Sequence, residues 1–193
     1  MAKIIALSGM CGSGKSVIAD ELVKKGYHFL RFGQITLDII KERGLPPTEE
    51  NERPIREELR KEHGMGAFAL LNIPKIDALL KKGNVVIDNL MSWSEYKLLK
   101  EKYGDRFIAV SVYAPPKMRY DRLTQRTLQD YDKALRHRPM TADQAQSRDY
   151  AEIEHIEKGG PIVMADFLLI NTGTVSELLS QLDAVLTYIE GYT

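Results

Sequence analysis

The sequence predicts an α/β fold in three layers, a five-stranded parallel sheet with helices on both faces. Three observations predict it. Short β-branched and apolar runs alternate with stretches of helical spacing along the chain. The first apolar run leads straight into a glycine-rich turn and then a helix start. The 193 residues, 44% of them hydrophobic, suffice for one sizeable core, expected as one domain over residues 1–193.

The first strand is Ile4-Ile5-Ala6-Leu7. Gly9 to Ser16 then read G-M-C-G-S-G-K-S, a complete G-x-x-x-x-G-K-[ST] phosphate-binding loop. Val17, Ile18, Leu22 and Val23 follow at helical spacing. Glycines let the backbone wrap closely, so its N–H groups and the helix N-terminus face a polyphosphate. Gly9, Cys11, Gly12, Ser13, Gly14, Lys15, Ser16 and Val17 are the expected nucleotide-binding residues. Lys15 suits the β/γ-phosphates, and the Ser16 hydroxyl suits Mg²⁺. A nucleoside triphosphate, read as ATP with Mg²⁺, is therefore the expected ligand.

Tyr27 to Phe32 reads as a second strand, and Gly33 opens a helix through Ile35, Leu37, Ile39 and Ile40 that stops near Pro46-Pro47. Thr48 to His63 is strongly charged, with Thr48 as a candidate cap, and Ala67 to Leu80 resumes apolar helical spacing. Asn84 to Asp88 is a β-branched strand ending in an acid. Phe107 to Tyr113 and Phe167 to Asn171 are the fourth and fifth strands. Val175, Leu178, Leu179, Leu182, Val185, Leu186 and Ile189 form one helical stripe, read as core.

Bulk properties exclude several classes. The 27 basic and 27 acidic residues cancel, which gives no electrostatic signal for nucleic acid or membrane. Cys11 is the single cysteine, so no internal disulfide forms, and no apolar run approaches spanning length. A soluble cytoplasmic protein is expected. The four histidines lack ligand spacing, which argues against zinc.

Asp88, at the end of an apolar strand, is the expected metal-side acid, bracketing Mg²⁺ together with Ser16. Phosphoryl transfer needs positive charge around the moving group, and residues 117–138 supply it. Arg119, Arg122 and Arg126 stand at i, i+3, i+7, which puts them near one helical face. Arg148 is read at the opening of a further charged helix, closing the same site or pairing with Asp149 or Glu152.

On these motifs the chain resembles the nucleoside-monophosphate-kinase-like branch of phosphate-loop proteins, which includes adenylate kinases and dephospho-coenzyme A kinases. The resemblance spans nearly the full length. It is carried by G-M-C-G-S-G-K-S, F-G-Q-I, E-E-L-R-K-E-H-G-M-G-A-F-A, V-V-I-D-N-L, R-Y-D-R-L-T-Q-R and A-D-F-L-L-I-N-T-G-T. It implies a helical acceptor-binding region over about 33–80 and a lid over about 127–143. It implies Arg122 and Arg126 at the lid base, and Arg136 or Arg138 at the transferring phosphoryl group. Asn171 and Gly173 would lie near the donor base. Arg31, Gln34, Arg53, Arg56 and Arg60 would hold the acceptor.

The sequence departs from the pattern on the acceptor side. Gln34 and Leu37 stand where adenylate kinases carry an acid and an arginine, and R-F-G stands where dephospho-CoA kinases carry D-A-D. A phosphate acceptor is already anionic and needs little base help, which favours a nucleotide-like phosphate, most simply a nucleoside monophosphate. Transfer to a ribose hydroxyl is the alternative. A reading of another class is a nucleotide-dependent switch or assembly factor, with Glu49 to Glu62 as docking surface.

Overall fold

The computed structural model of the chain describes residues 1–127 and 139–191. Five strands, β1 (Ile4–Ser8), β2 (His28–Arg31), β3 (Val85–Asp88), β4 (Phe107–Tyr113) and β5 (Phe167–Ile170), form one parallel sheet in the order β2-β3-β1-β4-β5. Every residue of β1 and β3, and all of β4 but Tyr113, is buried. Strands covered on both faces read as continuous apolar runs, which is why they were plain in the sequence.

Nine helices flank the sheet among the described residues: α1 (Lys15–Lys24), α2 (Gln34–Glu42), α3 (Glu49–His63), α4 (Ala67–Leu80), α5 (Trp93–Tyr103), α6 (Pro116–Thr124), α7 (Ala142–Ile156), α8 (Gly159–Val163) and α9 (Val175–Gly191). Side chains alternate across a strand, so β1 feeds two cores. Ile5 and Leu7 pack with Ile18 and Leu22 of α1 and with Leu178, Leu182 and Leu186 of α9. Ile4 and Ala6 face Phe68 and Ile76 of α4 and Tyr96 and Leu99 of α5. The stripe expected on α9 is core at Leu178, Leu182, Leu186 and Ile189, whereas Val175 is 57% exposed. No helix among the described residues is long and apolar enough to cross a membrane.

Thr48 takes the N-cap position of α3 as expected, though its side chain makes no capping hydrogen bond, and other local expectations are corrected. Helix α6 ends at Thr124, so Arg126 lies past its C-cap and shares no face with Arg119 and Arg122. Arg148 lies in the middle of α7, which starts at Ala142 behind a capping box of Thr141 and Gln144. Helix α5 was not foreseen, although Ser92 and Glu95 make a complete capping box at its start. The stretch expected as a lid falls largely on residues 128–138, outside the described residues.

Candidate functional site

The register places Leu7 beside Asp88 and Asp88 beside Arg31, so the C-terminal ends of β1, β2 and β3 converge where the phosphate loop leaves the sheet. That edge is where open α/β sheets bind ligands. Gly12 and Gly14 have φ of 79° and 107°, and a Cβ at Gly12 would stand 2.8 Å from the Arg119 carbonyl oxygen. One at Gly14 would collide with the Asn171 amide. The loop is therefore closed upon by its neighbours, and only glycine fits.

Lys15 Nζ donates to the Gly9 and Met10 carbonyls at 2.8 and 3.0 Å, bending back over its own loop. Burial, reinforced by the Lys158 ammonium, pulls Lys15 down to about 8. An ammonium strained in this way gains from any polyphosphate that arrives. Asp88, 7% exposed, contributes an opposing field at Lys15. Among the described residues no three acids, histidines or cysteines cluster as a metal cage. The donors fit Mg²⁺, which favours one or two protein oxygens completed by phosphates and water; Ser16 and Asp88 would supply them.

Two latches fix the loop from the other side. Arg119, 4% exposed, grips both carboxylate oxygens of Asp149 at 3.1 and 2.6 Å and donates to the Cys11 carbonyl at 3.0 Å. Tyr120 donates its hydroxyl to the same Asp149 at 3.0 Å. Arg122 donates to the Asn171 carbonyl at 3.0 Å, and Asn171 Nδ2 donates to the Ser13 carbonyl at 2.7 Å. Arg122 and Asn171 thus reach the loop as a chain, with Arg122 Nη1 buried and unpartnered among the described residues. Gly173 stands against the Glu177 carboxylate, which caps the segment leading into α9 by accepting from Thr174 N–H at 2.7 Å. Arg136 and Arg138 lie outside the described residues.

Sequence reasoning missed Glu95 and Lys158, and it left Arg148 between closing the site and pairing with Asp149 or Glu152, of which the structure gives it Glu152. Arg148 donates to Glu152 at 2.8 Å while its side chain is 45% exposed, and Cys11 and Glu49 lie within its electrostatic reach. Glu152 and Lys158 are buried together. Glu95, fully buried, accepts from the Met91 and Ser92 amides at 2.8 and 3.1 Å, while its other oxygen has no hydrogen-bond partner among the described residues. Burial raises Glu95 to about 7. The capping-box spacing announced Glu95, but nothing local announces a buried Lys158.

The structure divides the acceptor candidates. Arg53 pairs with Glu57 at 2.8 Å, and both side chains are mostly exposed. Arg56 is taken by Glu49 and Glu52. Gln34 Nε2 donates to Asp38 at 3.0 Å, and Arg31 ends β2 beside Asp88. Arg60 differs from them. It stacks on Phe68 at 5.1 Å and makes no ion pair among the described residues, its Nε is buried without a partner there, and Glu95 contributes the largest opposing charge in its field. The three arginine candidates of α3 therefore divide, because glutamates one and two turns away capture Arg53 and Arg56.

An AAA domain family model matches residues 5–149. A UPF0200 protein of Thermococcus kodakarensis is 36% identical over 90% of this chain and 91% of its own length. A UPF0200 protein of Sulfurisphaera tokodaii is 34% identical over 98% of each. In structure the chain is similar to a gluconokinase from Sinorhizobium meliloti, with TM-score 0.57 and 16% identity over 99% of this chain and 97% of that one. It is similar to a shikimate kinase from Bacteroides thetaiotaomicron, with TM-score 0.59 and 16% identity over 97% and 98%. At these identities the likeness is one of fold, that of the phosphate-loop kinases.

Proposed function

Since the chain belongs to the UPF0200 family and carries the AAA domain, we propose that it is an ATP- and Mg²⁺-dependent phosphotransferase acting on a small nucleotide-like acceptor, most simply a nucleoside monophosphate. The observation that carries this reading is a complete phosphate loop with two further guanidiniums in its electrostatic neighbourhood, Arg148 through Cys11 and Arg60 through Glu152, which also acts on Lys15. Arg148, bonded to Glu152 at 2.8 Å, has a side chain 45% exposed and feels the charge of Cys11, and Arg60 is stacked on Phe68 with no ion pair among the described residues. A switch that only hydrolyses ATP has no use for a second anion site of that kind.

Lys15 would leave the Gly9 and Met10 carbonyls for the β- and γ-phosphate oxygens, regaining the charge stabilisation that burial denies it. Ser16 and Asp88 would hold Mg²⁺, whose chemistry when bound would be to offset charge on the phosphate chain. Arg148 faces the transferring group and Arg60 the acceptor's phosphate, and both positions favour anions before any reaction begins. Two fold neighbours are named for gluconate and shikimate. A hydroxyl acceptor, such as the ribose of dephospho-CoA, is therefore the second reading.

The deciding experiment incubates the protein with γ-labelled ATP and a panel of nucleoside monophosphates, dephospho-CoA and water alone. Label on a 5′-phosphate is expected, and label on a ribose hydroxyl would establish the second reading. Lys15→Ala should lower transfer at least about a hundredfold, as loss of a charged donor in a dry site does. Free phosphate alone, released faster when a partner macromolecule is added, would overturn both in favour of a switch.

A further inference from the structure

Behind Arg148 stands a buried ion pair whose only part so far is its field at Lys15. Glu152 and Lys158 are 3% and 1% exposed and meet at 2.5 Å. The remaining Glu152 oxygen accepts from Arg148 Nε at 2.8 Å. One carboxylate thus joins a buried ammonium to an open guanidinium. The turn after α7 makes this possible: Glu157 adopts φ 56°, and the Lys158 N–H donates back to the Glu152 carbonyl at 3.1 Å. Lys158 is thereby folded under the last turn of α7. Helix α8 is seated in turn, with Gly160 against Trp93 and Ser8 Oγ donating to the Pro161 carbonyl at 3.1 Å.

Such a pair is a poor device for stability. Two ions removed from water cost more than their attraction reliably returns, and apolar residues of similar volume often serve as well. It is a good device for aim. A surface glutamate one turn away holds an arginine weakly, because both side chains swing. Here Glu152 cannot swing, since Lys158 clamps its other oxygen. Burial alone would discourage its charge, but Lys158 and Arg148 outweigh that and hold it near 2, so the acceptor of the Arg148 bond is always ionised at neutral pH.

We infer that Glu152 and Lys158 are positioning residues that hold the Arg148 guanidinium at the mouth of the phosphate loop, in the orientation phosphoryl transfer uses, without touching ligand themselves. The inference rests on the phosphotransferase reading. Two features distinguish it from a purely structural pair. It predicts an effect on transition-state affinity that ground-state binding does not share. It also predicts that the pair changes the preference for the transition state over the ground state only while Arg148 is present, since the opposing Lys158 and Glu152 fields at Lys15 act on both states.

The test uses calorimetry with Mg²⁺-ADP, with and without aluminium fluoride, whose complex mimics a transferring phosphoryl group. The variants are the apolar double substitution Glu152→Leu with Lys158→Met, the single Arg148→Ala, and the triple combination. The full-length protein is expected to bind the fluoride complex at least about a hundredfold tighter than ADP. Arg148→Ala should reduce that preference by about tenfold or more. The apolar pair should reduce it by a similar factor, with ADP affinity within about twofold and melting no lower than in the native protein. The triple variant should be no worse than Arg148→Ala, since the pair acts through that one side chain. A folded apolar pair with native fluoride preference, or losses that multiply in the triple, would overturn the positioning role. Should the apolar pair not fold, Glu152→Gln closes the same cycle with Arg148→Ala, read on the same ratio. A native protein with no fluoride preference would instead remove the phosphotransferase reading, and this inference with it.

Discussion

Arg119 and Arg53 are both arginines on charged helices, yet one is 4% exposed and the other has a side chain 72% exposed. The difference extends across the two halves of the site. On the donor side, bonds join residues far apart in the chain: Arg119 to Cys11 across 108 positions, and Asn171 to Ser13 across 158. On the acceptor side, Arg53 and Arg56 pair with glutamates of their own helix, Glu57, Glu52 and Glu49. Pro54 further removes one backbone donor from the middle of α3. Long-range buried bonds tie a loop to the whole fold, whereas local exposed pairs tie a helix only to itself. A polyphosphate is the same in every triphosphate and rewards a rigid cradle. If α3 belongs to the proposed acceptor region, holding it by surface pairs would leave it freer to shift, which suits closure over a substrate.

The largest effect expected of this contrast falls on Arg119. Arg119→Ala leaves Asp149 buried without its cation, and breaking one partner of such a pair costs roughly 3–5 kcal/mol. For a chain of this size the melting temperature should drop by about 10 °C. A drop of under about 2 °C would mean that the donor side is not held by these latches, and the contrast would fail.

The next effect compares two buried carboxylates and reads as pH dependence. Glu152 is held near 2, below its ordinary 4.5, so its contribution is full above 4.5 and is lost as pH falls toward 2. Glu95 runs the other way. Burial raises it to about 7, so the unfolded chain gives up that proton first and stability falls as pH rises from 4.5 through 7. Glu95→Gln keeps an acceptor for the Met91 and Ser92 amides and removes the charge. It should raise stability by on the order of 2 kcal/mol at pH 8 and leave it nearly unchanged at pH 4. Equal shifts in thermal melts at both pH values would show that Glu95 does not titrate in this window.

The same contrast governs what could be read from the residues. The central strands were legible because burial on both faces demands unbroken apolar runs, as in Ile4-Ile5-Ala6-Leu7. The phosphate loop was legible because its backbone conformation admits few residues at Gly12 and Gly14. Lys158 was not, since a lysine beside Gly159-Gly160-Pro161 reads as surface, and only the tertiary path of α7 and α8 buries it. Arg119 was grouped with Arg122 and Arg126 by spacing, because spacing does not say where a helix stops. The acceptor arginines looked alike for the converse reason. The periodicity that aligns them also aligns the glutamates that neutralise two of them.

The smallest effect is the sharpest test on the acceptor side, because it sets near-identical residues against each other. Arg53→Ala removes a guanidinium from an exposed pair with Glu57, and such pairs contribute little. Its melting temperature should stay within about 1 °C of the native value, and the KM for whichever acceptor takes the label should not move. Arg60→Ala removes a guanidinium seated on Phe68 with no carboxylate to satisfy it among the described residues. If that charge awaits an anionic acceptor, KM should rise about tenfold or more, the usual worth of a charge-assisted bond, while the KM for ATP holds. An equal response from both variants would erase the distinction between paired and open arginines. It would move the acceptor site off α3, toward Arg31 and Gln34 at the end of β2, where the carboxylate of Asp88 is the neighbour in register.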